Sequence, residues 1–342
     1  MTKKIFFSLL ATFLLLTLTV SAQDAPTTFT LYSDQPVVPH SDKTTDWDYQ
    51  YTDPGAVIYH DGKFHMFRNG FNGWPASVQI GYATSEDGLK WTEVSPDPVM
   101  MTQDVPYAKV AALASDVVVQ DDGTWVMYFY TWNTLSGTSA DGAIGRAIAK
   151  DPAGPWTPDA APVLTPGSAG TWDELRVSSP RVVKTDTGYN MYYSGSAKNN
   201  GIHTRIGMAT STDGITWTKF DDPATTDKLY AESDPILDTG DTQIFVGQPM
   251  VQQTPDGWTM IYRVVTSPGK MFLGTTTSKD GLHWTYDPKS VVWIPKNIPD
   301  SVGFWYTAFV YHDDTNYLYI ENGIGQHTQI YAATHKGSLT GS

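Results

Sequence analysis

The line "IGYATSEDGLKWTE", from Ile80 to Glu93, is written repeatedly along this chain. It returns as "IGRAIAKDPAGPWTP" from Ile144, "IGMATSTDGITWTK" from Ile206 and "LGTTTSKDGLHWTY" from Leu273, with a clipped copy, "IYAATHKGS", from Ile330. Each copy reads as a strand, a tight Asp-Gly or Pro-Gly turn and a short strand carrying Trp-Thr. A second strand pair precedes each copy. "AVIYHDGKFHMFRNG" matches "VVVQDDGTWVMYFYT", "RVVKTDTGYNMYYSG", "MVQQTPDGWTMIYRV" and "FVYHDDTNYLYIENG". No stretch shows helical periodicity of any length. The unit is therefore four antiparallel strands, A to D. Five such units around an axis predict an all-β fold, a five-bladed β-propeller.

The fifth unit lacks its D strand, and the missing piece lies at the other end of the chain. "FTLYSDQPVV" (Phe29 to Val38) aligns without a gap to "WTEVSPDPVM" (Trp91 to Met100). The N-terminal strand should complete the last blade and leave no open edge where the chain ends meet. Before it, Lys3 and Lys4 precede an apolar run, Ile5 to Val20, and then Val20-Ser21-Ala22. That pattern predicts a signal peptide over residues 1–22, cut after Ala22, and one propeller domain over 23–342, secreted or periplasmic.

The net charge is −14 and no basic run occurs. Such a chain is a poor partner for nucleic acid or an anionic membrane, and neutral carbohydrates fit better. There is no Cys, hence no disulfide framework and no thiolate metal site. A monomer needing no cofactor is expected. The 12 Trp and 19 Tyr exceed what a β core requires.

Strand alternation assigns the loops to faces. The D-to-A and B-to-C loops share one face; the A-to-B and C-to-D turns share the other. Asp87, Asp213 and Asp280 of the repeated "SxDG" lie on the second face and read as turn formers. The starts of strand A lie near the axis on the loop-rich face. They align as Asp53, Asp116, Ser179, Gln248 and Thr307. Acids appear there in blades one and two only, so they are not generic turn formers. Two carboxylates converging on a central pocket cost free energy and point to function. The same face gathers Trp47, Asp48, Tyr49, Arg68, Phe71, Asn72, Trp74, Tyr107, Trp132, Trp172, Arg181, Trp305 and Tyr306. Aromatic faces stack on sugar C–H faces while Arg, Asn, Gln248 and Ser179 can bind hydroxyls, so this set predicts a sugar cleft.

With these motifs in place, the chain resembles the five-bladed propellers of glycoside hydrolase family 43 (arabinanases, arabinofuranosidases, xylosidases) and the related family 32 (fructan and sucrose hydrolases). The "DPG" at Asp53, the "SxDGxxW" turns and the "DPVM", "APVL" and "DPIL" elements carry the resemblance, over the whole mature chain. The β-mannoside phosphorylase family shares the architecture. The resemblance implies cleavage of glycosidic bonds in arabinose-, xylose- or fructose-type poly- or oligosaccharides. It implies Asp53 as general base or nucleophile and Asp116 as the Asp that orients the acid and tunes its pKa. It also implies a general-acid Glu at the start of strand A in blade three.

At that third position the chain has Ser179, which cannot supply a proton at neutral pH. Glu174, in the same loop ("TWDELRVSSP"), is the nominated acid, and Glu321, at the end of strand B in blade five, is a second carboxyl on that face. Cleavage of good leaving groups without an acid and a non-catalytic glycan-binding propeller are the alternatives. A phosphorylase is a third, although Arg176 and Arg181 alone make a thin phosphate site. Among His40, His203 and His327, the last is the candidate ligand for a central Ca2+, since a blade-five His binds a cation in some arabinanases.

Overall fold

In a computed structural model of the chain, the residues described are 28–73, 77–134, 141–197, 204–241, 243–254, 257–266, 270–293, 304–324 and 327–339. Residues 1–22, read above as a signal peptide, and Trp74 and His203 lie outside them. The described residues form five antiparallel sheets in sequence order. Their inner strands are Tyr51–His60, Ala111–Val119, Arg176–Thr185, Ile244–Thr254 and Thr307–His312. The second strands are Lys63–Phe71, Trp125–Trp132, Gly188–Ser196, Gly257–Thr266 and Thr315–Ile324. The third strands are Gln79–Ser85, Ile144–Ala149, Thr204–Ser211, Lys270–Ser278 and His327–Lys336.

The last sheet takes its outer strand, Thr30–Leu31, from the N-terminus, which pairs antiparallel with Thr334 and Ala333. The fold is the predicted five-bladed propeller. Its outer edges are shorter than the repeat suggests, because two pieces share the edge in every blade but the fourth, where Val291–Trp293 stands alone among the described residues. In blade one Thr92–Glu93 and Met100–Met101 both pair with the third strand. In blade three Thr218–Lys219 and Pro235–Leu237 do so. The "DPVM" and "DPIL" elements are thus second edge pieces. Val38 and Leu164 bridge Ile330 and Ile144 in the same way in blades five and two.

The apolar core divides into five clusters, one at each seam between neighbouring blades. Phe67, Met127, Phe129 and Trp156 fill the seam of blades one and two. Tyr128, Tyr193 and Trp172 lie in the cluster of blades two and three. Val246, Met260 and Trp258 fill three and four. Phe29, Ile261, Trp293 and Phe309 fill four and five. Val57, Met66 and Tyr319 fill five and one. Alternation explains this: a blade buries both faces, so strand residues of either parity face an adjacent blade.

Three seams carry an added latch. The Tyr128 hydroxyl donates to Gly214 O, Tyr192 to Gly281 O and Tyr319 to Gly88 O, each at 2.8 Å. Each acceptor is the glycine of an "SxDGxxW" turn on the next blade, whose Trp packs edge-on against the same Tyr ring. The turn Asp residues are committed locally. Asp87 Oδ1 accepts from the Leu89 and Lys90 amides, and Asp213 from Ile215 and Thr216. These bonds hold Asp213 down at about 2.

Candidate active site

The "DPG" of blade one builds a β-bulge. Asp53 pairs with Asn69 and Ala56 with Phe67, so Pro54 and Gly55 stand opposite Arg68 alone. Gly55 sits at φ +44°, and a Cβ there would lie 2.1 Å from Phe67 O. Only glycine fits. Asp53 Oδ1 accepts from the Gly55 amide and from Asn69 Nδ2, both at 2.9 Å. Asn69 is 1% exposed. Its amide cannot flip, because its Oδ1 accepts from Ala114 N at 2.7 Å while its Nδ2 also reaches Ala114 O. One side chain therefore aims a donor at Asp53 and ties blade one to blade two.

Bulges recur in blades two, three and four, and they correct the sequence alignment of the strand starts. By ladder register the partners of Asp53 are Leu113, Ser178 and Gly247. Ser179 and Gln248 occupy the bulges, both at φ +50°, each before a proline. Asp116 lies beyond its bulge, level with Ala56. Its Oδ1 accepts from Arg181 Nη1 at 2.8 Å and its Oδ2 from Val182 N at 2.6 Å. Arg181 Nε donates in turn to Val251 O. Burial pushes the Asp116 carboxyl up, against these bonds. The pair fastens blades two, three and four across the channel, and Asp116 does not line the pocket that holds Asp53.

That pocket, about 30 Å³, is lined by Asp53, Tyr130, Ser179, Arg181, Gln248, Tyr306 and Thr307. Glu321 stands beside it. It is 5% exposed, and its Oε2 accepts from Tyr306 N at 3.1 Å. The Thr328 side chain also bonds it. The Thr328 hydroxyl itself accepts from Thr52 N at 3.2 Å, next to Asp53. Burial raises Asp53 to about 7, opposed by the bonds from Asn69 and Gly55. Burial, then the charge of Asp53, raises Glu321 to about 8. Two buried carboxyls that repel each other near neutrality hold one proton between them. Such a pair can donate and accept protons in one reaction.

Glu174 is not brought to this pocket. Its Oε2 accepts from Gly170 N at 2.6 Å and closes its own loop. Trp47 and Arg68 also serve elsewhere. The indole lies over Gly70 and Gly81, where a Cβ would come within 2.5 and 2.8 Å, and it donates to Pro96 O. Arg68, 2% exposed, stacks under Trp47 and bonds Asp48, Glu93 and Thr52. Trp172 repeats the arrangement over Gly195 and Gly207, with its N–H on Ser233 O. Both Trp-Asp pairs brace a blade. Phe71 stacks on Tyr51 at 4.2 Å, and Trp132 packs against the seam of blades two and three.

Trp305 differs: it is 58% exposed, and its carbonyl is held by Gln248 Nε2 and Arg263 Nη1, each at 2.5 Å. Tyr306 beside it packs half-buried against Tyr130, and desolvation of its hydroxyl raises it above the usual tyrosine range. His327 donates from Nδ1 to Tyr49 O and packs its ring on His40 at 4.7 Å. Among the described residues no group of three or more His, Cys, Asp or Glu is arranged to hold a metal ion.

The propeller is shared with known carbohydrate-active structures. A glycoside hydrolase superposes with a TM-score of 0.71 at 17% identity, over 90% of this chain and 93% of that one. The β-1,2-mannobiose phosphorylase from Listeria innocua gives 0.63 at 14%, over 90% and 96%. A thermostable family-43 glycoside hydrolase gives 0.60 at 10%, over 84% and 90%. These likenesses are of fold. No curated protein sequence matches the chain significantly. A family-43 enzyme thus shares the architecture, but neither family 43 nor family 32 is the family that the sequence matches. The match to residues 93–332, well over half the chain, is to glycoside hydrolase family 130, described as β-1,4-mannooligosaccharide phosphorylase, and the chain belongs to that family.

Proposed function

We propose that this is an exported enzyme that cleaves glycosidic bonds with the buried Asp53–Glu321 pair. The observation that carries the reading is that pair: two desolvated carboxyls with titrations raised into the neutral range, on neighbouring blades, beside a pocket at the axis. Family membership supports carbohydrate as the substrate class. Asp53 lies before the matched span, so its role rests on its geometry. Glu321 keeps its proton to the higher pH and acts as general acid on the leaving oxygen. Asp53, deprotonated first, acts as base. Glycoside cleavage commonly divides its work between two carboxyls in this way. Trp305 offers its exposed face to a sugar ring at the mouth, with Gln248, Ser179 and Thr307 beside it.

Water is the acceptor that fits best. The pocket of about 30 Å³ holds one or two waters. Arg181 is engaged by Asp116 and Val251, and Arg263 by the Trp305 carbonyl. Phosphorolysis is the second reading, favoured by the family description. One experiment separates them. The purified protein is incubated with β-mannooligosaccharides and with arabinan, xylan and fructan oligomers, with and without inorganic phosphate. Free sugar formed without phosphate supports hydrolysis, and sugar phosphate formed only with it supports phosphorolysis. No cleavage of any substrate, or full activity in both Asp53→Asn and Glu321→Gln, would overturn the assignment of the pair.

A further inference from the structure

The Tyr-to-Gly latches close three of the five seams; among the described residues the seam of blades one and two, with Phe67 in the latch position, and the seam of blades four and five have none. In register, the latch residue of blade four is Ile261, level with Tyr128 and Tyr192 of blades two and three. Its counterpart turn on blade five is also cut short: "THKGSL" has neither the Asp nor the Trp of "SxDGxxW". Phe29 stands in the Trp position and turns onto Phe309 and His335.

At this seam, on the face opposite Asp53, lies a cavity of about 650 Å³. That is the size of a site for a small ligand. Its lining is mostly polar, with Lys279, Asp280, His283 and Asp314 among the amides and hydroxyls and the rings of Trp258 and Tyr311 in its walls. Gln252, Gln253, Thr259 and Thr277 contribute amides and hydroxyls. Tyr311, on the same wall, is 47% exposed. Asp280 is engaged by His283 at 2.6 Å and Lys279 offsets the charge of Asp314, so the wall presents no net charge of one sign and suits an uncharged ligand.

We propose that this cavity is a second, non-catalytic binding site for a neutral oligosaccharide chain. Tyr311 stacks on a sugar ring and the paired glutamine amides bind its hydroxyls. The site goes beyond the catalytic reading and does not depend on it. Two sites on opposite faces hold a long polysaccharide by avidity, where a short substrate uses the axial site alone.

The test uses affinity electrophoresis through gels containing soluble β-mannan, arabinan, xylan or fructan, beside turnover of aryl glycosides. The proteins are wild type, the double variant Tyr311→Ala/Gln253→Ala, and Thr277→Trp, which fills the cavity from an exposed position. Unchanged thermal melting confirms that each variant is folded. The expected result is retardation of the wild type by at least one polymer, weakened roughly fivefold or more in both variants, with aryl-glycoside turnover unchanged. Equal retardation of all three proteins, or none of the wild type in any gel, overturns the second site. A parallel loss of aryl-glycoside turnover overturns its independence. If the catalytic reading alone is wrong, no aryl glycoside is turned over while the gels still separate wild type from variants.

Discussion

At the scale of single residues, the chemistry rests on how two carboxyls are kept from their usual titration range. Asn69 is the residue that sequence reasoning missed. Its role is to position Asp53, and its signal is three-dimensional: an amide locked by Ala114 that donates to Asp53. Asn69→Ala removes a bond that lowers the Asp53 pKa. The acid limb of kcat/KM should move upward, and kcat/KM should fall about tenfold to a hundredfold, the range expected for one buried hydrogen bond of 1–3 kcal/mol. A pH–rate profile of the variant checks both. A merely structural loss would lower activity without moving the limb.

The wild-type profile should be bell-shaped, with limbs belonging to the pair near 7 and 8. Glu321→Gln should abolish the alkaline limb along with most activity. The same shifts set a stability trend. Both carboxyls titrate higher in the folded chain than in the unfolded one, so the native state binds more protons between about pH 4 and 8. Stability must fall as pH rises through that window. Asp53→Asn should therefore add about 1–2 kcal/mol of stability at pH 8, raising the melting temperature there, and have little effect at pH 4. Thermal melts across pH read this directly, and a uniform shift at all pH values would contradict it.

At the scale of elements, the bulges decide which side chains meet. The repeat made the strands legible, because the same pair of hairpins recurs along the chain with Asp-Gly in most of its turns. It could not reveal that an extra residue shifts the inner strands of blades one to four at the pocket. Asp116 and Asp53 therefore looked equivalent and are not. Glu174 was misplaced because a loop can use its own carboxylate, here on Gly170. Trp47 and Trp172 looked like sugar platforms. Their glycine partners were visible as "NGF" and "IGY", "SGS" and "IGM", two small residues per blade making room for one indole. Glu321 could be nominated because it ends a strand on the right face. Nothing in one dimension couples it to Asp53. Gly55→Ala tests the bulge. The added methyl meets Phe67 O in a left-handed backbone, so about 1–3 kcal/mol of stability should be lost, with activity, in denaturant titrations. Tyr192→Phe should cost about 1 kcal/mol and leave turnover intact, since it removes one latch on the far face.

At the scale of the whole molecule, five seam clusters close a ring whose ends meet without a covalent bond. Thr30–Leu31 and Val38 cover the edge of the third strand of blade five. A chain beginning after Val38 should expose that edge and self-associate or fail to fold. Size-exclusion chromatography with light scattering would show this, and a stable monomer of the shortened chain would count against closure by the N-terminus.

The position of that closing strand also decides how the protein bears load. A tether at the N-terminus would pull on Thr30–Leu31, whose hold on the ring is a two-residue ladder flanked by backbone bonds from Thr28, Tyr32 and Val38. These few rungs would yield one after another and part the ring at its closing blade while the other four sheets stayed whole. Anchored by its front end, the molecule is a clasp that opens at the hinge pin; held by any other blade, it is a closed band.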